Sequence, residues 1–248
     1  MAARIRQAVA QQQKFSNKII TSLKIIAEIL NILDSLGPAL AVGILLSTRR
    51  ALPKEIQLIL IFCLVQLICN IVATIIERLA ITNGFFLLQN NYWVYKLNTT
   101  SCFLTVIYLF TRYLLHFKAI LLYALLLLYA LISVAFIIRG DGISQFNSVS
   151  SALESIVIVA LCLYFFYSKL IYSHEEVSIP ETSIFWCVVG IFTYYAGAFF
   201  IFISYKYFIG SNDSTIGVLW RFHNILLFIC CLYISYGILC KNYRTILS

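Results

Sequence analysis

Charge is scarce in this sequence. Asp, Glu, Lys and Arg make up 11% of its 248 residues, against 62% for the apolar types. A water-soluble domain has no interior large enough for that much apolar surface, so a soluble catalytic or DNA-binding fold is excluded. Histidine is rarer still. His116, His174 and His223 stand alone in separate segments, whereas a zinc hydrolase needs clustered His and carboxylate ligands. The cysteines offer no Cys-x-x-Cys or Cys/His zinc spacing. A Gly-x-Ser-x-Gly nucleophile elbow and a phosphate-binding loop are both missing. The last apolar stretch has no lysine at its middle, so a retinal Schiff base has no attachment point; Lys241 lies at its end. Thr111-Arg112-Tyr113 lacks the acidic residue of an Asp-Arg-Tyr receptor motif. The expectation is a protein that is not an enzyme, with no catalytic residue, no cofactor and no metal site.

What the chain does have is seven long apolar stretches. A bilayer core about 30 Å thick needs roughly 20 apolar residues per helix. The first stretch runs from Ile19 or Ile25 to Ser47, and the others cover about Lys54 to Leu79, Tyr92 to Leu115, Ala119 to Ile138, Phe146 to Tyr172, Thr182 to Ile209 and Ile216 to Cys240. The predicted fold class is therefore all-α: a polytopic membrane protein built as one seven-transmembrane-helix bundle over residues 19–248, after a basic polar tail over 1–18. That tail has no apolar core, so no cleavable signal peptide is expected. The first stretch is the ambiguous one. Lys24, Glu28, Asn31, Asp34 and Ser35 crowd its first half, which reads either as an amphipathic helix lying on the membrane or as the start of a long spanning helix with its polar stripe turned inward.

Pro53 and Pro180 precede stretches two and six, where a helix tolerates proline. The connections Ile81 to Asn91, Arg139 to Gln145 and Gly210 to Thr215 are rich in turn-forming residues. No internal repeat is evident, which weakens an inverted-repeat transporter reading. The eight cysteines fall within or beside the stretches and read as packing residues. The net charge of +8 comes from basic residues that mostly flank the stretches; this is the pattern of topology signals, so no nucleic-acid partner is expected. Arg49, Arg50, Lys54, Arg112, Lys118, Lys169, Lys241 and Arg244 share the carboxyl-terminal side. Their excess places the carboxyl terminus in the cytoplasm and the amino terminus outside.

The intramembrane polar residues are unevenly spread. Six of the seven stretches bring polar side chains to the amino-terminal half of the bilayer, and the opposite half is mostly Leu, Ile, Val and Phe. Polar groups avoid lipid and face protein or a water-filled cavity. Gln66, Asn70 and Glu77 share one helical face of stretch two. Asn98, Ser101, Thr105, Tyr108 and Arg112 form a stripe on stretch three. Trp220, His223, Asn224, Leu227 and Cys231 share a face of stretch seven. Glu154 and His223 each lie about two turns inside a stretch, where an ionisable group is by default a functional candidate. The candidate ligand-binding residues are Glu77, Asn98, Glu154, Tyr194, Trp220, His223 and Asn224. Plainer roles stand beside these: interhelical glue for Asn98, Ser101 and Thr105, aromatic-belt anchoring for Trp93 and Trp220, a surface pair for Glu77 and Arg78, mutual neutralisation for Lys24 and Glu28. Gly190 and Gly197 read as close-packing positions.

Several segments resemble a family of uncharacterised seven-helix integral membrane proteins of Bacteroidota. They are Leu52-Pro53-Lys54-Glu55, Asn90-Asn91-Tyr92-Trp93-Val94-Tyr95, Phe185-Trp186 with Tyr194 to Gly197, and Leu219-Trp220-Arg221-Phe222-His223-Asn224. The resemblance implies a seven-helix bundle in a bacterial inner membrane with an extracytoplasmic amino terminus, and implies no activity. The expected function is receptor-like or accessory. A small molecule, lipid or partner helix would bind in a polar cavity open to the extracytoplasmic side, and a membrane or cytoplasmic protein partner would carry any output. A proton- or cation-coupled transporter using Glu77, Glu154 and His223 is one alternative. A structural membrane subunit, whose polar stripes only bind other helices, is another.

Overall fold

The computed structural model describes the backbone of residues 2–48, 52–83, 91–138, 148–172, 182–208 and 213–239. Seven helices occupy them: α1 (Ala2–Ser47), α2 (Lys54–Asn83), α3 (Tyr92–Tyr108), α4 (Ala119–Ile138), α5 (Ser148–Tyr172), α6 (Ser183–Phe208) and α7 (Asp213–Leu239). In lipid every backbone polar group needs an internal partner, and a helix supplies one for each without outside help. Five helices contain segments long and apolar enough to cross a membrane: Ile25–Ser47, Lys54–Leu79, Ser148–Lys169, Ser183–Tyr205 and Thr215–Leu239. The chain is an integral membrane protein with an all-helical fold.

The ambiguous first stretch is a single helix from Ala2 through Ser47, with no break at residue 18. Its outer face (Ile25, Ile26, Ile29, Ile32 and Leu36) is about half exposed, as a lipid-facing surface is. Stretch three departs from a plain helix. After Tyr108 the chain widens into a π-helical segment, Leu109–Leu114, closed by His116 at a φ of 49°. That left-handed conformation is uncommon for a residue with a side chain, and histidine is among the types enriched there. α2 continues to Asn83, past the start of the connection expected from Ile81. The rest of that connection and most of the other two lie outside the described residues, as do the side chain of Lys24 and the residues His174, Cys240, Lys241 and Arg244.

Six helices form a ring in the order α3, α2, α1, α7, α6, α5, which closes where α5 meets α3; α4 packs outside it against α3 and the π-helical segment. The tightest seam is α6 against α7, and glycines make it. A Cβ at Gly190 would stand 2.8 Å from the Cys230 carbonyl oxygen, and one at Gly237 would stand 2.6 Å from that of Ser183. Small residues let helix backbones approach this closely. The carboxyl-terminal half of the ring is filled by Phe62, Phe110, Phe165, Ile59, Ile191 and Ile234, all nearly inaccessible. The seven described cysteines are buried and unbridged, as packing residues.

Candidate functional site

The amino-terminal half of the ring is not filled. A cavity of about 610 Å³ lies among α1, α2, α3, α6 and α7. Asn31, Asp34 and Ser35 line it from α1, and Asn70, Thr74, Glu77 and Arg78 from α2. The rest of the lining is Tyr95, Asn98 and Thr99 of α3, Tyr194 and Phe202 of α6, and Gly217, Trp220, Arg221, His223, Asn224 and Leu227 of α7. Asn31, Glu77 and Arg78 form the rim, whereas Asn98, Tyr194 and Leu227 are buried and form the floor. The volume falls within the range of small-molecule sites, roughly 300–1,000 Å³.

A hydrogen-bond chain runs under the floor. Cys102 Sγ donates to Asn98 Oδ1 at 3.4 Å, and Asn98 Nδ2 donates to Gln66 Oε1 at 2.8 Å. The same Gln66 amide bonds the Tyr194 hydroxyl, which in turn lies 3.3 Å from His223 Nε2. With Gln66 Oε1 taken by Asn98, its Nε2 is the group left to donate to Tyr194. The tyrosine proton is then free to point at His223 Nε2, which places the histidine proton on Nδ1. Four helices are joined by this chain, and its last atom belongs to the cavity wall.

The α1 wall is fixed by a different device. Pro38 lies inside α1 and has no N–H, so the carbonyl four residues earlier, that of Asp34, loses its helical donor. Asn70 Nδ2 of α2 takes that place at 2.7 Å. From the other side, Asn224 Nδ2 of α7 reaches the Leu30 carbonyl oxygen at 3.2 Å. Two asparagine side chains thus anchor α1 between its neighbours.

Aromatic rings crowd the α7 wall. The His223 ring lies 5.3 Å from Trp220, 5.3 Å from Tyr194 and 5.6 Å from Phe202, and Trp220 lies 5.8 Å from Tyr95. Two polar atoms on this wall are buried without a hydrogen-bond partner, Arg221 Nε and His223 Nδ1. Buried polar atoms are nearly always paired, so such orphans need a physical account.

Glu77, Asn98, Tyr194, Trp220, His223 and Asn224, all expected from the sequence, meet around this one cavity. Glu154 does not, which corrects its grouping with them. It is 6% exposed and its carboxyl bonds Tyr129 of α4, on the outer side of the ring. Tyr129 Oη also lies 2.8 Å from Thr100 Oγ1 and bonds Ser133, so this second cluster ties α3, α4 and α5 together. The stripe expected on α3 also divides. Asn98 crosses to α2, but Thr105 donates to the Ser101 carbonyl of its own helix at 2.8 Å. Trp93 is 46% exposed and points outward, whereas Trp220 turns in to the cavity.

Among the lining residues outside the sequence candidates, Asp34, Asn70, Tyr95 and Arg221 bear most on the chemistry of the cavity. Pro38 signalled the freed Asp34 carbonyl. Asn70 was on the face of Glu77, and Tyr95 lies three residues from Asn98. No group of three or more His, Cys, Asp or Glu side chains that could hold a metal is present among the described residues. Comparison with protein-family models, with curated proteins and with solved structures finds no match to the chain.

Proposed function

We propose that this protein is a receptor-like or accessory membrane protein that binds a small molecule in the cavity of α1, α2, α3, α6 and α7. In this reading all seven helices cross an inner membrane. The basic-residue bias puts the cavity mouth on the extracytoplasmic side and the carboxyl terminus in the cytoplasm. The observation that carries the reading is that the cavity is open at one half and stopped at the other. Below Asn98 and Tyr194 the ring interior is Phe62, Ile107, Phe110, Ile191 and Ile234, each 1% exposed or less. A transporter or channel needs polar groups through both halves; these five side chains have none, and the buried polar side chains described in that half, Thr111, Thr182, Ser183 and Ser235, are not ionisable. The separation of Glu154 from Glu77 and His223 also favours this reading over the alternative of a transporter that uses the three together. In this reading a membrane or cytoplasmic protein partner carries the output.

The test is thermal unfolding of the full chain in neutral detergent against a library of polar and aromatic fragments. A ligand present at 100 times its Kd adds about 2.7 kcal/mol of stability. Stabilising fragments should lose their effect in Trp220→Ala and keep it in Leu127→Ala, a change on the lipid-facing side of α4. If no fragment stabilises the protein, or if both variants respond alike, the cavity is not a binding site and the polar residues serve helix assembly.

A further inference from the structure

The charges of the cavity are unevenly divided between its walls. Asp34 and Glu77 stand on the α1 and α2 side, within electrostatic reach of each other. Asp34 Oδ1 accepts from its neighbour Ser35 at 3.1 Å and has no cation beside it among the described residues. Arg78, next to Glu77, has a partner of its own. On the α7 side stands Arg221, whose Nε is buried and unpartnered, together with the unpartnered Nδ1 of His223. Since Tyr194 faces Nε2, that Nδ1 is a donor. The first wall thus sets two carboxylates against one cation, Arg78, that is already partnered, and the α7 wall carries the Arg221 guanidinium with no carboxylate and two buried donors without an acceptor.

We propose that the cavity recognises a small zwitterion. Its anionic end is taken by Arg221 and His223, and its cationic end by Asp34 and Glu77. The assignment rests on the binding reading above and names the ligand class for that site. A lone anion would satisfy α7 and leave the two carboxylates facing each other, and a lone cation would leave Arg221 uncompensated. In a low-dielectric site an unpaired charge is costly, so a ligand carrying both charges suits both walls while adding no net charge to the membrane. Trp220 and Tyr95 add aromatic faces, which attract cations. The chemistry, an ammonium and a carboxylate or phosphate on one short skeleton, is shared by free amino acids and by a zwitterionic phospholipid headgroup.

Calorimetric titration of the full chain in dodecyl maltoside, a neutral detergent, separates the cases. The probes are 5-aminopentanoate and O-phosphoethanolamine as zwitterions, with pentanoate, ethyl phosphate and pentylamine as their single-charge halves. At least one zwitterion should bind tenfold or more tightly than either of its halves. Arg221→Gln should weaken it at least tenfold and Arg221→Lys much less. Asp34→Asn should weaken it comparably, and Glu77→Gln, at the rim, reads the same wall if Asp34→Asn does not fold. Phosphatidylethanolamine added to the micelles should then compete with the probe if the headgroup is the natural source, and leave binding unchanged if the source is soluble; either result supports the proposal. A half that binds as tightly as the zwitterion, or zwitterion binding indifferent to both charge variants, overturns it. If only neutral fragments bind in a Trp220-dependent way, the cavity is a binding site and the zwitterion assignment alone is wrong. If nothing binds, both readings fail.

Discussion

Asn70 and Pro38 make a prediction whose sign depends on a single missing hydrogen. The Asp34 carbonyl oxygen has no donor from residue 38, because that residue is proline, and Asn70 Nδ2 supplies one at 2.7 Å. Asn70→Leu keeps roughly the same side-chain size and removes that donor. Asn70 is 5% exposed but borders the cavity, so water from the cavity can offset part of the loss. An unsatisfied buried acceptor costs about 1–3 kcal/mol; measured polar contacts between membrane helices average nearer 0.6 kcal/mol. We expect Asn70→Leu to destabilise the protein by about 1–2 kcal/mol.

In a Pro38→Ala background the outcome should change. The alanine brings back the backbone N–H, and the Asp34 carbonyl regains its helical partner. Asn70→Leu then leaves no orphan behind, and its cost should fall by about 1 kcal/mol or more. The four proteins of this cycle are compared by reversible unfolding in mixed micelles, with the helical circular dichroism signal as readout. Pro38→Ala can also straighten α1, but that change is common to both members of its pair and cancels in the coupling. Equal costs of Asn70→Leu in the two backgrounds, within about 0.3 kcal/mol, would refute the idea that Asn70 substitutes for the missing N–H.

Three further outcomes follow from the same contacts. Gly237→Ala puts a methyl group 2.6 Å from the Ser183 carbonyl oxygen and should destabilise by about 1–3 kcal/mol; Gly43→Ala, with open space around its Cβ, should be neutral or stabilising by up to about 1 kcal/mol in the same thermal melts. Tyr194→Phe removes the link between Gln66 and His223 and should cost about 1–2 kcal/mol, with Gln66→Leu adding less in that background than alone. Tyr129→Phe breaks the bonds to Thr100 and Glu154 and should speed amide hydrogen exchange in α4 while leaving fragment binding in the cavity within about twofold of the parent, as expected for separate networks; weakened binding would show that the two clusters are coupled.

The division between what was legible in the sequence and what was not is geometric. Spacings of three and four fix which residues share a face of one helix. They placed Trp220, His223, Asn224 and Leu227 together on α7, and Gln66, Asn70 and Glu77 together on α2, and each set faces the ring interior. The bias of polar residues to one half located the cavity by depth. Helix existence was equally legible: α4 spans the expected Ala119–Ile138, because a run with almost no polar residue has few other options in lipid.

Lateral order is a property of the assembled bundle, and no period within one helix encodes it. Glu154 shows why this matters. Its depth matches that of His223, and a bundle in which every helix bordered one interior would bring the two together. In this fold α4 is left outside the ring, and α5 turns Glu154 toward Tyr129 on α4. Arg221 shows the reverse error. Two residues before His223 it belongs by period to another face, but its long side chain still reaches the cavity. The same geometry narrows the functional reading. Glu154 is turned away from the chamber, and below the chamber lie Phe62, Ile107 and Phe110, each nearly inaccessible. A chamber of that kind can hold a ligand. Moving the ligand on would require the apolar layer itself to open, and the buried polar groups described in the carboxyl-terminal half, the hydroxyls of Thr111, Thr182, Ser183 and Ser235, include none that ionises.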